Sequence, residues 1–201
     1  YAESKNGFNW ERYEENPILD GNEITERGNF QTPYVLYDNE DKIYKMWFVL
    51  SIPLDKTSTR HKQKLFYATS NNGINWKVKE NPIYPSGRSP SLLKINENKY
   101  KMWMNSSPGH EINSKFRNTN IFEFTSPDGI NWTRGEKPVI TPEGRCISCV
   151  YPFVFTLNGK RIMLYGGHVE GGDMFEIFHA EQRENKKWIN FPNEPTFAAA
   201  R

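Results

Sequence analysis

An all-β fold of repeated antiparallel sheets is what this 201-residue sequence predicts, and three observations carry the prediction. One signature returns along the chain. Residues 1–10 read YAESKNGFNW, 67–76 read YATSNNGINW, 123–132 read EFTSPDGINW, and 177–188 hold a worn copy, IFHAEQRENKKW. The closing tryptophans stand at 10, 76, 132 and 188, spacings of 66, 56 and 56, and self-similarity at such a period marks a repeat architecture. A second signature alternates with the first: a Pro-led apolar run (Thr32-Pro33-Tyr34, Ser89-Pro90-Ser91, Tyr151-Pro152-Phe153), then Tyr44-Lys45-Met46-Trp47, Tyr100-Lys101-Met102-Trp103 or Arg161-Ile162-Met163-Leu164. Finally, no segment sustains the 3.6-residue apolar period of a helix, whereas 14 Gly and 13 Pro suit many turns between short strands.

Each unit reads as four strands in order. The Pro-led run is strand a and the Tyr-Lys-Met-Trp run strand b. They are joined by the polar turns Asp38–Asp41, Asn96–Asn98 and Asn158-Gly159. Strand c is of the Leu65–Thr69 type, and strand d is expected to carry the Asn-Trp. Asn72-Gly73 and Asp128-Gly129 make the c–d turn because these residues tolerate positive φ. Four antiparallel strands per repeat is a β-propeller blade. Residues 1–10 read as the outer edge of a preceding blade, 11–76, 77–132 and 133–188 as full blades, and 189–201 as the start of another. Three blades do not close a ring. The chain is therefore expected to be part of a five-bladed propeller, with open blade edges that favour self-association. It opens Tyr-Ala-Glu-Ser, without Met or a signal peptide, as if the native start lay outside this sequence.

Composition narrows the function classes. Hydrophobic residues make up only 36%, but 14% aromatics, including 6 Trp, bring enough buried area for a core. A net charge of +2 gives no reason to expect nucleic acid or an anionic membrane as partner, and no apolar run reaches membrane-spanning length. Cys146 and Cys149 form a C-x-x-C pair with no second pair to complete a zinc site, which reads as structural, and they leave the compartment undetermined. No cofactor or metal is expected.

The S-x-(D/N)-G-I-N-W element, followed by Asn-Pro-Ile and alternating with the Pro-led strand and Tyr-Lys-Met-Trp, resembles the five-bladed propeller glycosidase superfamily of arabinanases, levansucrases, invertases and mannoside phosphorylases. The resemblance implies a carbohydrate ligand and O-glycosyl hydrolase chemistry. It also implies catalytic acids at the tops of inner strands, often as Asp-Pro. The matching positions here are Thr32-Pro33, Ser89-Pro90 and Tyr151-Pro152, none acidic.

Strand alternation places the d–a links and b–c loops on one face, where ligands favour the mouth of the ring. Three arginines precede inner strands there: Arg27, Arg88 and Arg145. Their planar forks suit a carboxylate or phosphate. The b–c loops bring His61, His110 with Glu111, and His168 with Glu170 and Asp173. Glu170 and Glu111 are the expected catalytic pair, with Asp173 as substitute, since glycoside hydrolysis needs two carboxylates across the sugar. Arg27, Arg88, Arg145, His110, His168 and Tyr151 are the expected ligand-binding set. Gly166-Gly167 are expected to let backbone approach the ligand, and Tyr34, Tyr151 and Tyr165 are candidate stacking platforms. Trp47 and Trp103 are expected between blades, and the four repeat tryptophans in the core. Asn105 and Asn131 begin glycosylation triplets. Three functions follow: a glycoside hydrolase acting at this face, a non-catalytic propeller recognising an anionic sugar, sugar phosphate or nucleotide sugar, or a transferase accessory domain of polysaccharide biosynthesis whose arginines hold a diphosphate.

Overall fold

The computed structural model describes residues 1–55, 57–58, 61–106, 120–169, 175–184 and 186–197. Among them, β1 (Ala2–Glu3) and β2 (Glu11–Arg12) form a two-stranded sheet, and a single helical turn, α1 (Gly21–Ile24), follows. Three four-stranded antiparallel sheets come next. The first holds β3 (Asn29–Asp38), β4 (Ile43–Pro53), β5 (His61–Ser70) and β6 (Lys77–Val78). The second holds β7 (Arg88–Asn96), β8 (Lys99–Asn105), β9 (Ile121–Ser126) and β10 (Thr133–Arg134). The third holds β11 (Cys146–Leu157), β12 (Lys160–Val169), β13 (Phe175–Gln182) and β14 (Trp188–Asn190). Strand order in space equals chain order in each. The first strands β3, β7 and β11 touch in succession, so the sheets gather around their inner strands as blades.

The blades are held by side chains from alternate positions of facing strands. Trp47, Val49 and Tyr67 of the first blade meet Leu92, Tyr100 and Met102 of the second. Trp103 and Ile121 of the second meet Val154, Met163 and Phe178 of the third. Trp47 and Trp103 are fully buried there, between blades as expected.

The repeat signature is a hydrogen-bonded turn written three times. The hydroxyl of Ser4, Ser70 or Ser126 accepts the N–H of Gly7, Gly73 or Gly129, each at 2.9 Å. Oδ1 of Asn6, Asn72 or Asp128 accepts the next two amides at 2.8–3.0 Å. The three glycines share φ of 74–75°, a left-handed value that an L side chain resists. The tryptophan closes the turn: the indole N–H of Trp10, Trp76 and Trp132 donates to the glycine carbonyl at 3.1, 3.0 and 2.9 Å.

Two expectations are corrected here. Strand d begins just after the tryptophan, at Lys77 and Thr133, because the Asn-Trp is consumed by the turn. Trp10, Trp76 and Trp132 are therefore turn clasps; Trp76, Trp132 and Trp188 are half-buried at the edge of the core, and Trp10 is 63% exposed.

The turns also join blades. The Gly129 carbonyl accepts a second indole, that of Trp47 in the preceding blade, at 2.7 Å. Trp103 holds the same position one blade on, but the worn turn at 183–187 has no glycine. Its buried indole N–H has no acceptor among the described residues, and the ring packs edge-on against Trp188 instead.

At the same end, Asp38 forms a buried charged knot across the first two blades. Its carboxylate accepts from Lys45 at 2.7 Å, Lys94 at 2.8 Å and the Tyr100 hydroxyl at 2.9 Å. Burial alone would raise the Asp38 carboxyl, but these donors outweigh it and hold the group well below the usual carboxylate range.

On the other face of the first blade, Val35, Tyr44 and Met46 border an apolar cavity of about 780 Å³ that β1–β2 partly wall through Tyr1, Ala2 and Arg12. Val35 and Met46 are the register equivalents of Leu92 and Met102, which the neighbouring blade covers. The cavity thus lies on the face that, one blade on, is covered by a neighbouring blade.

Candidate functional site at the top of the inner strands

All three inner strands break their ladder at one place. Register shifts fall at Gln31/Tyr34, Arg88/Ser91 and Val150/Phe153. Within each shift, the residue before the proline is left-handed: Thr32 at φ 45°, Ser89 at 52° and Tyr151 at 52°. The proline lacks an N–H and bars its predecessor from the right-handed helical region. A bulge absorbs the missing bond and re-aims the side chain. Non-glycine residues in this region cost about 1–3 kcal/mol each, and for β-branched Thr32 the conformation is a true outlier. The strain thus falls on the positions where the resemblance implies catalytic acids. The hydroxyls of Thr32 and Ser89 have no partner among the described residues, and Tyr151 is 44% exposed.

A cluster forms around Tyr151. The Arg88 guanidinium lies over its ring, 5.9 Å from the centroid, and Phe175 packs edge-on at 5.7 Å. His168 sits against Phe175 with ring centroids 3.7 Å apart. Asn105, paired with Arg88 across the β7–β8 ladder, accepts the Tyr151 N–H at 3.1 Å and donates to the Cys149 carbonyl at 2.6 Å. That buried role removes Asn105 as a glycosylation site, since its side chain is committed within the blade contact. Among the described residues Arg88 has no ion pair. Its fork and the exposed Tyr151 ring together offer a charged group beside a stacking surface.

The other arginines stand differently. Arg145 donates to Glu176 at 3.2 Å. Glu176 is buried, and its second carboxylate oxygen has no partner among the described residues. Arg27 is itself left-handed at φ 58° and exposed; the Asp55 carboxyl is lowered chiefly by hydrogen bonds from Thr57, with Arg27 adding a smaller attraction. Arg88, Tyr151 and, through Phe175, His168 are thus brought together. Glu111, Glu170, Asp173 and His110 lie outside the described residues.

Two more expectations change. Tyr165 is buried, and the part-buried Tyr34 hydroxyl donates to the Leu92 carbonyl at 2.7 Å, so both are packing residues. Gly167 is required by its packing, whereas Gly166 leaves ordinary room beside Tyr151. A Cβ at Gly166 would touch the Tyr151 ring at 3.4 Å, and one at Gly167 would stand 2.6 Å from Cys146 Sγ. Sequence reasoning missed Asn105, Phe175 and Glu176. For Glu176 the available signal was an acid between two large apolar residues, Phe175 and Ile177, at the start of strand c.

No family model matches the chain. Two uncharacterized proteins from strains of Mycobacterium tuberculosis are 25% and 26% identical over 186 residues, 88% of this chain and 58% of each of theirs. The chain thus spans somewhat over half the length of the curated relatives it matches. Among solved structures, an N-acetylgalactosamine deacetylase from F. plautii in complex with blood group B trisaccharide superposes with a TM-score of 0.72 at 12% identity, covering 100% of this chain and 62% of that one. A GH32 β-fructofuranosidase from Bombyx mori gives 0.63 at 15% identity, covering 80% and 36%. Sucrose-6-phosphate hydrolase from Lactobacillus gasseri gives 0.62 at 16%, covering 81% and 34%. The chain has the four-stranded-blade fold of glycoside-hydrolase-type propellers.

Proposed function

We propose that this chain is part of a five-bladed propeller that acts on a glycan or sugar conjugate at the face where Thr32, Ser89 and Tyr151 sit. The observation that carries the reading is the Arg88–Tyr151 pair: an exposed ring that can stack on a sugar, under a guanidinium with no ion pair among the described residues. Catalytic carboxylates are assigned to the loops, Glu111 in the β8–β9 connection and Glu170 in the β12–β13 connection, with Asp173 as substitute. One acts as general acid, the other as base or nucleophile. Arg27, Arg145, His110 and His168 complete the ligand-binding set. The sugar substrates of the structural neighbours support this reading.

The second reading is a binding protein for an anionic sugar, sugar phosphate or nucleotide sugar. It is favoured by the absence of an acid at the three strained inner-strand positions and by the lone Arg88. One of the neighbours is a sucrose-6-phosphate hydrolase. Calorimetry with a hexuronate, a hexose 6-phosphate and the neutral hexose, on the parent chain and on Arg88→Ala, separates the two. Loss of the anionic ligands alone in Arg88→Ala, with no hydrolysis by the parent, selects the binder. Hydrolysis that Glu170→Gln or Glu111→Gln abolishes while binding survives selects the enzyme. Binding and turnover unchanged by all three substitutions would remove the site from this face.

A further inference from the structure

Cys146 and Cys149 open the inner strand β11. Three residues apart on a regular strand, they would face opposite sides of the sheet, because side chains alternate. The pairing removes that obstacle. Cys146 stands opposite Val169 and Ser148 opposite His168, so one residue, Ile147, is inserted between two consecutive partners. Such a bulge resets the alternation and returns Cys149 to the face of Cys146. Both thiols lie in the core between the second and third blades, 1% and 0% exposed. Their sulfurs are 3.3 Å apart, about 1.3 Å more than an S–S bond. The bare Gly167 backbone leaves the room that Cys146 occupies.

The pair is also wired to the top of the blade. The Cys149 carbonyl accepts from Asn105, and Asn105 holds the N–H of the strained Tyr151. A movement of the backbone at Cys149 therefore reaches Tyr151 through two hydrogen bonds.

We propose that Cys146 and Cys149 are a reversible redox site: hydrogen peroxide closes them into a disulfide, and the closure is transmitted through Asn105 to Tyr151. The inference does not depend on which ligand the top face takes. Cys146 is the attacking sulfur. The hydrogen bond from the Cys149 thiol draws Cys146 below the usual thiol range, while the same contact and burial push Cys149 up. The Cys146 sulfur attacks one peroxide oxygen, the O–O bond breaks, and the hydroxide released takes the thiol proton to leave as water. The Cys149 sulfur then attacks the sulfenic sulfur of Cys146, the S–O bond breaks, and hydroxide leaves with the Cys149 proton as a second water. Two thiols are oxidised to one disulfide, and one peroxide is reduced to two waters.

The chain has 2 Cys, so intact mass reads the reaction directly. The native chain is treated with peroxide, denatured and alkylated. The expected product takes up no alkyl group, has lost two hydrogens, and regains both labels after a dithiol reductant. Two labels after peroxide, or added oxygen without cross-linking, overturns the proposal. Cys149→Ser should stop at a sulfenic acid that dimedone traps, and Cys146→Ser should stay unreactive at the same dose. Equal reactivity of Cys146→Ser overturns the assignment of the attacking sulfur. Hydrogen exchange at the Tyr151 amide should change several-fold between dithiol and disulfide forms; unchanged exchange in a chain shown to hold the disulfide overturns the link to Tyr151.

Discussion

Replacing Asp38 by Asn removes one negative charge from a site whose side chain is 1% exposed and keeps its volume. Lys45 and Lys94 bond opposite oxygens of the carboxylate, so in Asn the one remaining oxygen faces only one of them and the amide NH2 points at the ammonium of the other. Breaking a buried pair in this way costs about 3–5 kcal/mol. Lys45 keeps Asp41 at 2.6 Å and Lys94 keeps Glu40 at 2.5 Å, both partly solvated, which places the cost at the low end, about 3 kcal/mol. For a chain of this length that is a fall in Tm of about 6–12 °C. The pH dependence has a definite sign. The folded carboxyl lies below its unfolded value, so its stabilisation is complete above the unfolded pKa of about 3.9 and is lost as pH falls through the folded one. Urea denaturation of parent and variant at pH 7, 5 and 3 should show a constant gap at the first two and a narrowing one at the third. A Tm change under about 2 °C at pH 7 would refute the claim that this knot fastens the first two blades, as would a gap that does not narrow at pH 3.

The two buried strand-b tryptophans offer a matched comparison. Trp47→Phe loses the indole bond to Gly129, whereas Trp103→Phe deletes a donor with no acceptor among the described residues, so in thermal denaturation the first should cost about 1 kcal/mol more than the second. The repeat glycines offer another. Gly7 and Gly129 share φ of 75°, but a Cβ at Gly7 meets nothing within 4 Å, and one at Gly129 stands 3.0 Å from Trp47. Gly7→Ala should cost about 1–2 kcal/mol for the backbone alone, and Gly129→Ala measurably more; equal losses would mean that the turn does not press on the neighbouring blade.

Much of the fold is legible in the sequence because its signals are local. Ser-x-(Asn/Asp)-Gly-x-Asn-Trp closes a turn with bonds among seven consecutive residues, so its recurrence announces the repeat before any tertiary contact is known. The short continuous apolar run Met46–Leu50, bounded by a polar turn, assigns strand b in the same way. The site is less legible. Arg88 and Tyr151 are 63 residues apart by number, and whether they meet depends on how the second blade lies on the third.

By itself, the sequence determined the class of fold, the number of strands per repeat, the turn chemistry and the burial of Trp47 and Trp103, all consequences of periodicity and backbone preference within one unit. Only the tertiary structure decided which arginine stands beside an exposed ring, that Asn105 is spent on Tyr151 and Cys149, that a bulge at Ile147 turns two thiols to one side, and that the residues before the three inner-strand prolines, Thr32, Ser89 and Tyr151, are left-handed. The physical reason is shared. A one-residue bulge inverts every later side chain on its strand; a proline marks the bulges at Ser89 and Tyr151, but nothing in the local sequence of β11 marks Ile147 as the residue its ladder with β12 leaves out.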